Sequence, residues 1–209
     1  MIVKSYKDHV SNSVNFYFFR KQAESPKQAS EKSATILRNY VASFIEYPKP
    51  LILALNGPAV GIGATIIPLC DFVFMSSQAT LRTPFASTAQ APEGCSSYTF
   101  PKLLGRALAN KMLMLDHVMG AEEAKLRGLA TEVFPDETFE QNLKDKVEEI
   151  SNYAPNVLQG IKSISNHEKD FLHEVNEKEC QNLFEVWQSD ECKMAIELVM
   201  AKLGKSKAK

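Results

Sequence analysis

The chain has 209 residues, 44% of them hydrophobic and 23% charged, which is enough apolar material for one domain with a sizeable core and a small helical appendage. Its 24 basic and 25 acidic side chains leave a net charge of −1. Neither a nucleic acid nor a membrane surface is therefore expected as the primary partner.

Cys70, Cys95, Cys180 and Cys192 form no CxxC pair, and His9, His117, His167 and His173 stand at neither metal-ligand nor triad spacing. Reduced thiols in an intracellular protein, with no metal site, are expected. No apolar run reaches the ~18 residues of a membrane span. MIVKSYKDHV lacks the apolar core of a secretory signal, and Lys207-Ala208-Lys209 is not the Ser-Lys-Leu peroxisomal address. The Lys-rich end, KLGKSKAK, reads as a solvated tail.

In chain order, Val14 to Phe19 (VNFYFF) reads as a short strand or an apolar patch, closed by Ser25-Pro26. Ile36, Leu37, Tyr40, Val41, Phe44 and Ile45 recur at helical spacing and predict a helix over 27–46, ended by Pro48 and Pro50. Leu51 to Asn56 is a continuous apolar run, the pattern of a strand buried on both faces. A short helix over 61–69 is expected to kink or stop at Pro68. Strands follow at 71–75 and 80–83, so that strand, helix and strand alternate as in a parallel α/β domain. Helices are predicted at 95–104, interrupted by Pro101, at 106–115, and at 121–127 with Gly128 as a left-handed C-cap. A strand over 129–134 precedes a helix over 139–153 with Thr138 as N-cap. The rest, from Pro155, is helical with a break near Asn166, and Phe171, Leu172, Val175, Cys180, Leu183, Phe184 and Trp187 make its apolar stripe.

The chemistry concentrates between Asn56 and Ser97. Gly57, Gly61 and Gly63 follow a buried strand, where a missing Cβ lets the backbone approach a ligand and leaves amides facing an anionic oxygen. Glu93 is the only carboxylate between Asp71 and Asp116. The pattern suggests a backbone oxyanion site with a carboxylate base on a neighbouring loop. Taken singly, each piece has a plainer reading. A lone acid in a loop is most simply solvated, and Gly61-Ile62-Gly63 followed by Ala64-Thr65-Ile66 lacks the third glycine of a dinucleotide fingerprint. Cys95, with no histidine nearby in sequence, reads as a buried structural thiol, and Asp190-Glu191 as the exposed start of the last helix.

Four segments together change the balance: KPLILALNGPAVGIGATIIPLCD at 49–71, TPFASTAQAPEGCSSYTFPKLLG at 83–105, AEEAKLRGLATEVFPDETF at 121–139 and SDEC at 189–192. Over about residues 28–203 the chain resembles the crotonase (enoyl-CoA hydratase/isomerase) superfamily, and within it the peroxisomal-type Δ3,Δ2-enoyl-CoA isomerases. The resemblance implies an α/β fold with a ββα spiral (ClpP/crotonase) core and a C-terminal helical region. It implies an acyl-CoA thioester as substrate, with no further cofactor. The Ile62 backbone N–H would sit in the oxyanion hole, with Ala59, Gly61 and Gly63 against the acyl-CoA. Glu93 would carry a proton from C2 of a 3-enoyl-CoA to C4. Hydratases of the superfamily place glutamates where this chain has Thr65 and Phe85, so water addition lacks its base. Trimers, or dimers of trimers, in a peroxisome or mitochondrion are the corresponding expectations.

The departures lie upstream. The turn that supplies the other oxyanion amide is matched only by Ser11 to Asn15, with Val14 N–H as the counterpart donor. The expected division is a divergent segment at 1–27, an α/β core at 28–140 without its upstream strands, a helical region at 141–203 and a basic tail at 204–209. Open sheet edges would follow. These departures motivate the alternative of a catalytically inactive crotonase-like module that binds CoA or protein partners.

Overall fold

The computed structural model describes residues 1–5, 25–195 and 197–198. The expected strand or patch at Val14 to Phe19 lies outside them. Strand β1 (Ile2–Ser5) and helix α1 (Pro26–Glu46) come first. Ser25 starts α1 by accepting the Gln28 N–H on its hydroxyl at 3.2 Å. Two ββα steps follow: β2 (Ile52–Leu55), β3 (Ala59–Val60) and α2 (Ile62–Thr65), then β4 (Phe72–Ser76), β5 (Thr80–Arg82) and α3 (Ser96–Leu104). β4 lies parallel to β2, and β5 lies parallel to β3. Each step thus adds one strand to each of two sheets, which is the spiral that the resemblance implies.

The chain continues through α4 (Arg106–Leu115), β6 (Val118–Gly120), α5 (Ala121–Leu126), β7 (Glu132–Phe134), α6 (Phe139–Ser151), α7 (Pro155–Ser165) and α8 (Lys169–Val186). One sheet has the order β1-β2-β4-β7, all parallel; the other is β3-β5-β6, with β6 antiparallel.

β2 explains its own sequence. Leu53 and Leu55 join Val73, Met75, Leu81, Phe100 and Met119 on one face, while Ile52 and Ala54 join Phe74, Phe134, Phe139 and Leu143 on the other. A strand covered on both sides needs apolar residues at every position. The β2 edge expected to stand open is occupied by β1, with Ile2 opposite Ile52 and Ser5 opposite Leu55.

Other expectations are adjusted. The 61–69 segment divides into α2 and a 3-10 turn, Ile67–Leu69, that holds Pro68. α3 runs through Pro101 unbroken, the proline in its second turn removing one backbone bond from a helix whose first amides are held elsewhere in the fold. Thr138 does not cap α6 with its side chain. A 3-10 turn, Asp136–Thr138, already engages the Phe139 amide, and the Thr138 hydroxyl accepts from Asn142 at 2.8 Å. Gly128 adopts φ +79° beyond α5, as a left-handed cap should. β3, β6 and β1 were not legible: runs of two to four residues show too little alternation to be recognised.

Two long-range contacts fasten the helical region to this core. α8 packs on α1 through Leu172 and Val175 against Val41 and Ile45. From α7, the Lys162 ammonium donates to Asp71 Oδ2 at 2.6 Å and to the Lys49 carbonyl at 3.1 Å. Asp71 Oδ2 also accepts the Leu51 N–H at 2.7 Å, so one ion pair fixes the entrances of both β2 and β4. Lys162→Met is expected to lower unfolding free energy by about 1 kcal/mol in a denaturant titration, because the carboxylate it leaves behind is partly exposed and keeps its Leu51 amide bond.

Candidate functional site

The glycine turn after β3 is held by its own backbone. Gly61, at φ 60° and ψ −126°, donates its N–H to the Arg82 carbonyl at 3.0 Å. Its carbonyl accepts from Ala64 at 2.9 Å and from Thr65 at 3.0 Å, which starts α2. That backbone geometry favours glycine. Ala59 is buried in β3, Gly63 is half-buried, and Ile62 abuts the Glu93 turn: its Cδ1 lies 3.3 Å from where a Cβ on Gly94 would stand, and its amide favours the charged form of the Glu93 carboxyl. The proposed oxyanion donor and the proposed base therefore adjoin. Val14, the other proposed donor, lies outside the described residues.

Glu93 is not the solvated loop acid of the plain reading. It is only 6% exposed, and its Oε1 has no hydrogen-bond partner among the described residues. Its carbonyl accepts both the Ser96 N–H, at 3.1 Å, and the Ser96 hydroxyl, at 2.7 Å. Gly94 follows at φ +66°, and a Cβ there would stand 2.5 Å from Thr65 Oγ1. Cys95 continues at φ 63° as the residue before α3. The turn is thus wedged against α2 and bonded into α3.

A second carboxylate reaches this turn from α8. Glu179 is also 6% exposed; its Oε2 accepts the Cys95 N–H at 2.7 Å and its Oε1 the Ser97 N–H at 2.8 Å. Burial, and then the Glu179 charge, push the Glu93 carboxyl up to about 8, with the Ile62 hydrogen bond pulling the other way. Burial pushes Glu179 up as well, opposed by its bonds to Ser97 and Cys95. Burial and the same charge push the Cys95 thiol up to about 12, where it stays protonated and donates to the Leu172 carbonyl at 3.4 Å. It is a structural thiol, not a nucleophile.

Sequence reasoning misses Glu179. The signal available was a carboxylate on the buried stripe of α8, in phase with Leu172, Val175, Cys180 and Leu183. Thr65 and Phe85, by contrast, are buried and carry no titratable group. Among the described residues no group of three or more His, Cys, Asp or Glu could hold a metal, and no helix is long and apolar enough to cross a membrane.

The family profile described as enoyl-CoA hydratase/isomerase matches residues 19–205. The chain belongs to this family, the crotonases. Enoyl-CoA delta isomerase 2 of Rattus norvegicus is 43% identical over 190 residues, covering 90% of this chain and 49% of that protein. Chromodomain Y-like protein 2 of Mus musculus is 42% identical over 174 residues, covering 83% of this chain and 35% of that protein. The chain spans about half or less of the length of these curated relatives. Among solved structures, Pseudomonas aeruginosa OdaA superposes at a TM-score of 0.80 with 28% identity, over 95% of this chain and 80% of that one. An enoyl-CoA hydratase/isomerase from Pseudoalteromonas atlantica gives a TM-score of 0.74 with 29% identity, over 78% and 66% of the two chains.

Two outcomes follow from the geometry. Gly94→Ala is expected to lower the melting temperature, and Thr65→Gly in the same chain to restore part of the loss, because space is recovered although the positive φ remains strained. The buried Glu93 favours its protonated form, so its contribution to stability is full below the ordinary carboxylate range and is lost as pH rises through about 8. Glu93→Gln should therefore gain melting temperature over wild type at roughly pH 9 and show little difference at roughly pH 4.

Proposed function

We propose that this crotonase is an enoyl-CoA isomerase that moves the double bond of a 3-enoyl-CoA to the 2-trans position, with acyl-CoA as substrate and no further cofactor. The observation that carries the reading is the burial of Glu93 on a turn wedged by Gly94 against Ile62 and Thr65 of the glycine turn. In a thioester the carbonyl oxygen and the α-carbon are two bonds apart, so a donor for one and a base for the other must stand side by side. Substrate entering this space takes the amide onto its carbonyl oxygen and leaves the carboxylate facing the C2 proton. One preorganised oxyanion donor is worth about 3–4 kcal/mol when removed elsewhere, and Val14 N–H completes the pair in this reading.

Glu93 removes the C2 proton, holds it while charge is delocalised over the dienolate, and returns it at C4. A carboxyl with its pKa near neutrality suits both halves, since it is a stronger base than an exposed glutamate and a ready donor afterwards. Ala59, Gly61 and Gly63 line the approach to the amide in this proposal. Hydratase chemistry is disfavoured, because Thr65 and Phe85 bring no second carboxylate. We also propose assembly as a trimer or a dimer of trimers, in a peroxisome or mitochondrion. One apolar stripe on α7 supports a subunit contact: Val157, Ile161 and Ile164 are 58, 59 and 72% exposed.

The 42% identity to chromodomain Y-like protein 2 favours a second reading, a module that binds CoA or a protein partner without turnover. One assay separates the two. Wild type is expected to convert 3-enoyl-CoA to the conjugated 2-trans product, and Glu93→Gln to lose about 10²–10⁴-fold in kcat while still binding CoA. Full activity in Glu93→Gln would show that the base is misassigned, and CoA binding by an inert wild type would favour the module.

A further inference from the structure

Glu179 has no part in the proton transfer just described, yet it is built into the site. It reaches across from the middle of α8 to accept the Cys95 and Ser97 amides at 2.7 and 2.8 Å. Those amides open α3, a nine-residue helix whose own N-cap residue makes no side-chain cap bond. A carboxylate is the favoured partner for such amides. Ser96, between them, carries the Glu93 carbonyl on both its N–H and its hydroxyl. Glu179 thus grips the residues on either side of the one that holds Glu93.

The two carboxylates are unequally solvated by the protein. Glu179 accepts one amide on each oxygen, whereas Glu93 Oε1 has no partner among the described residues. We propose that Glu179 is a positioning residue for Glu93: held by two amides of its own, it fixes the 93–97 turn from across the fold and leaves Glu93 as the carboxyl that takes up the substrate proton. This rests on the reading of Glu93 as the base. Among the described residues, the other ionisable groups around the pair are Tyr40 on α1, Cys95 before α3 and Cys180 on α8, with Arg38 acting on Cys180. Burial pushes both thiols up to about 12 and raises Tyr40, which leaves the two carboxylates, of the described groups, to titrate as a coupled pair.

The test is a carbon-13 NMR titration of glutamate side-chain carboxyls in the full chain, with Glu93→Gln used to assign the Glu93 signal. In a folded Glu179→Gln, the Glu93 titration should fall by roughly one pH unit. In the isomerase assay the acid limb of kcat should move to lower pH by a similar amount, with KM little changed. An unmoved Glu93 signal in the folded variant overturns the proposal, as does a drop in kcat at all pH values with the limb in place. If Glu179→Gln does not fold, Glu179→Asp keeps the charge but shortens the reach. It should keep the wild-type Glu93 titration while kcat falls at least severalfold, and unchanged kcat there overturns the proposal. A wild type without isomerase turnover defeats the catalytic reading alone, since the NMR titration still judges the coupling of the two carboxylates.

Discussion

Two backbone amides at the start of α3 need an acceptor, and the acceptor comes from α8. Cys95 and Ser97 bond a carboxylate that lies 84 and 82 residues further along the chain. Everything that distinguishes the site depends on that cap. It allows Gly94 and Cys95 to remain at positive φ, keeps Ser96 directed at the Glu93 carbonyl, and keeps the Glu93 side chain buried against α2. Strain in consecutive residues persists only where surrounding bonds over-determine it, and here those bonds come from both sides.

The same arrangement bears on the proposal that one acid serves where the resemblance implies two for hydratases. Thr65 does not carry a carboxylate; it packs against Gly94, and Phe85 belongs to the core between the sheets. The carboxylate that is added, Glu179, faces the turn from behind, bound to backbone. It therefore acts on the charge of Glu93 and makes no second base.

Much of the fold was legible because its signals are local. The all-apolar 51–55 run, the helical spacing from Ile36 to Ile45, Gly128 after α5 and the break at Asn166 each state a requirement of the element they belong to. The short strands β1, β3 and β6 were not legible, because their pairing is decided by partners elsewhere in the chain. Glu93 could be singled out as an isolated acid, but its burial could not be read from a loop of small residues. Glu179 was harder still. An acid among Asn176, Glu177 and Lys178 looks like any solvated face until the phase of α8 is tied to the position of α3. Pro101 and Thr138 show the opposite error, local rules that neighbouring backbone bonds overrode.

The distance along the chain between Cys95 and Glu179 also sets an order of assembly. The sheets can pair from segments up to β7, yet the Glu93 turn lacks its acceptor until α8 has been synthesised and has docked on α1. Closing so long a loop comes late, since its entropy must be offset by contacts already made. On the ribosome, then, the scaffold precedes the Glu93 turn, and a nascent chain ending before α8 would hold Glu93 without the grip that shapes that turn.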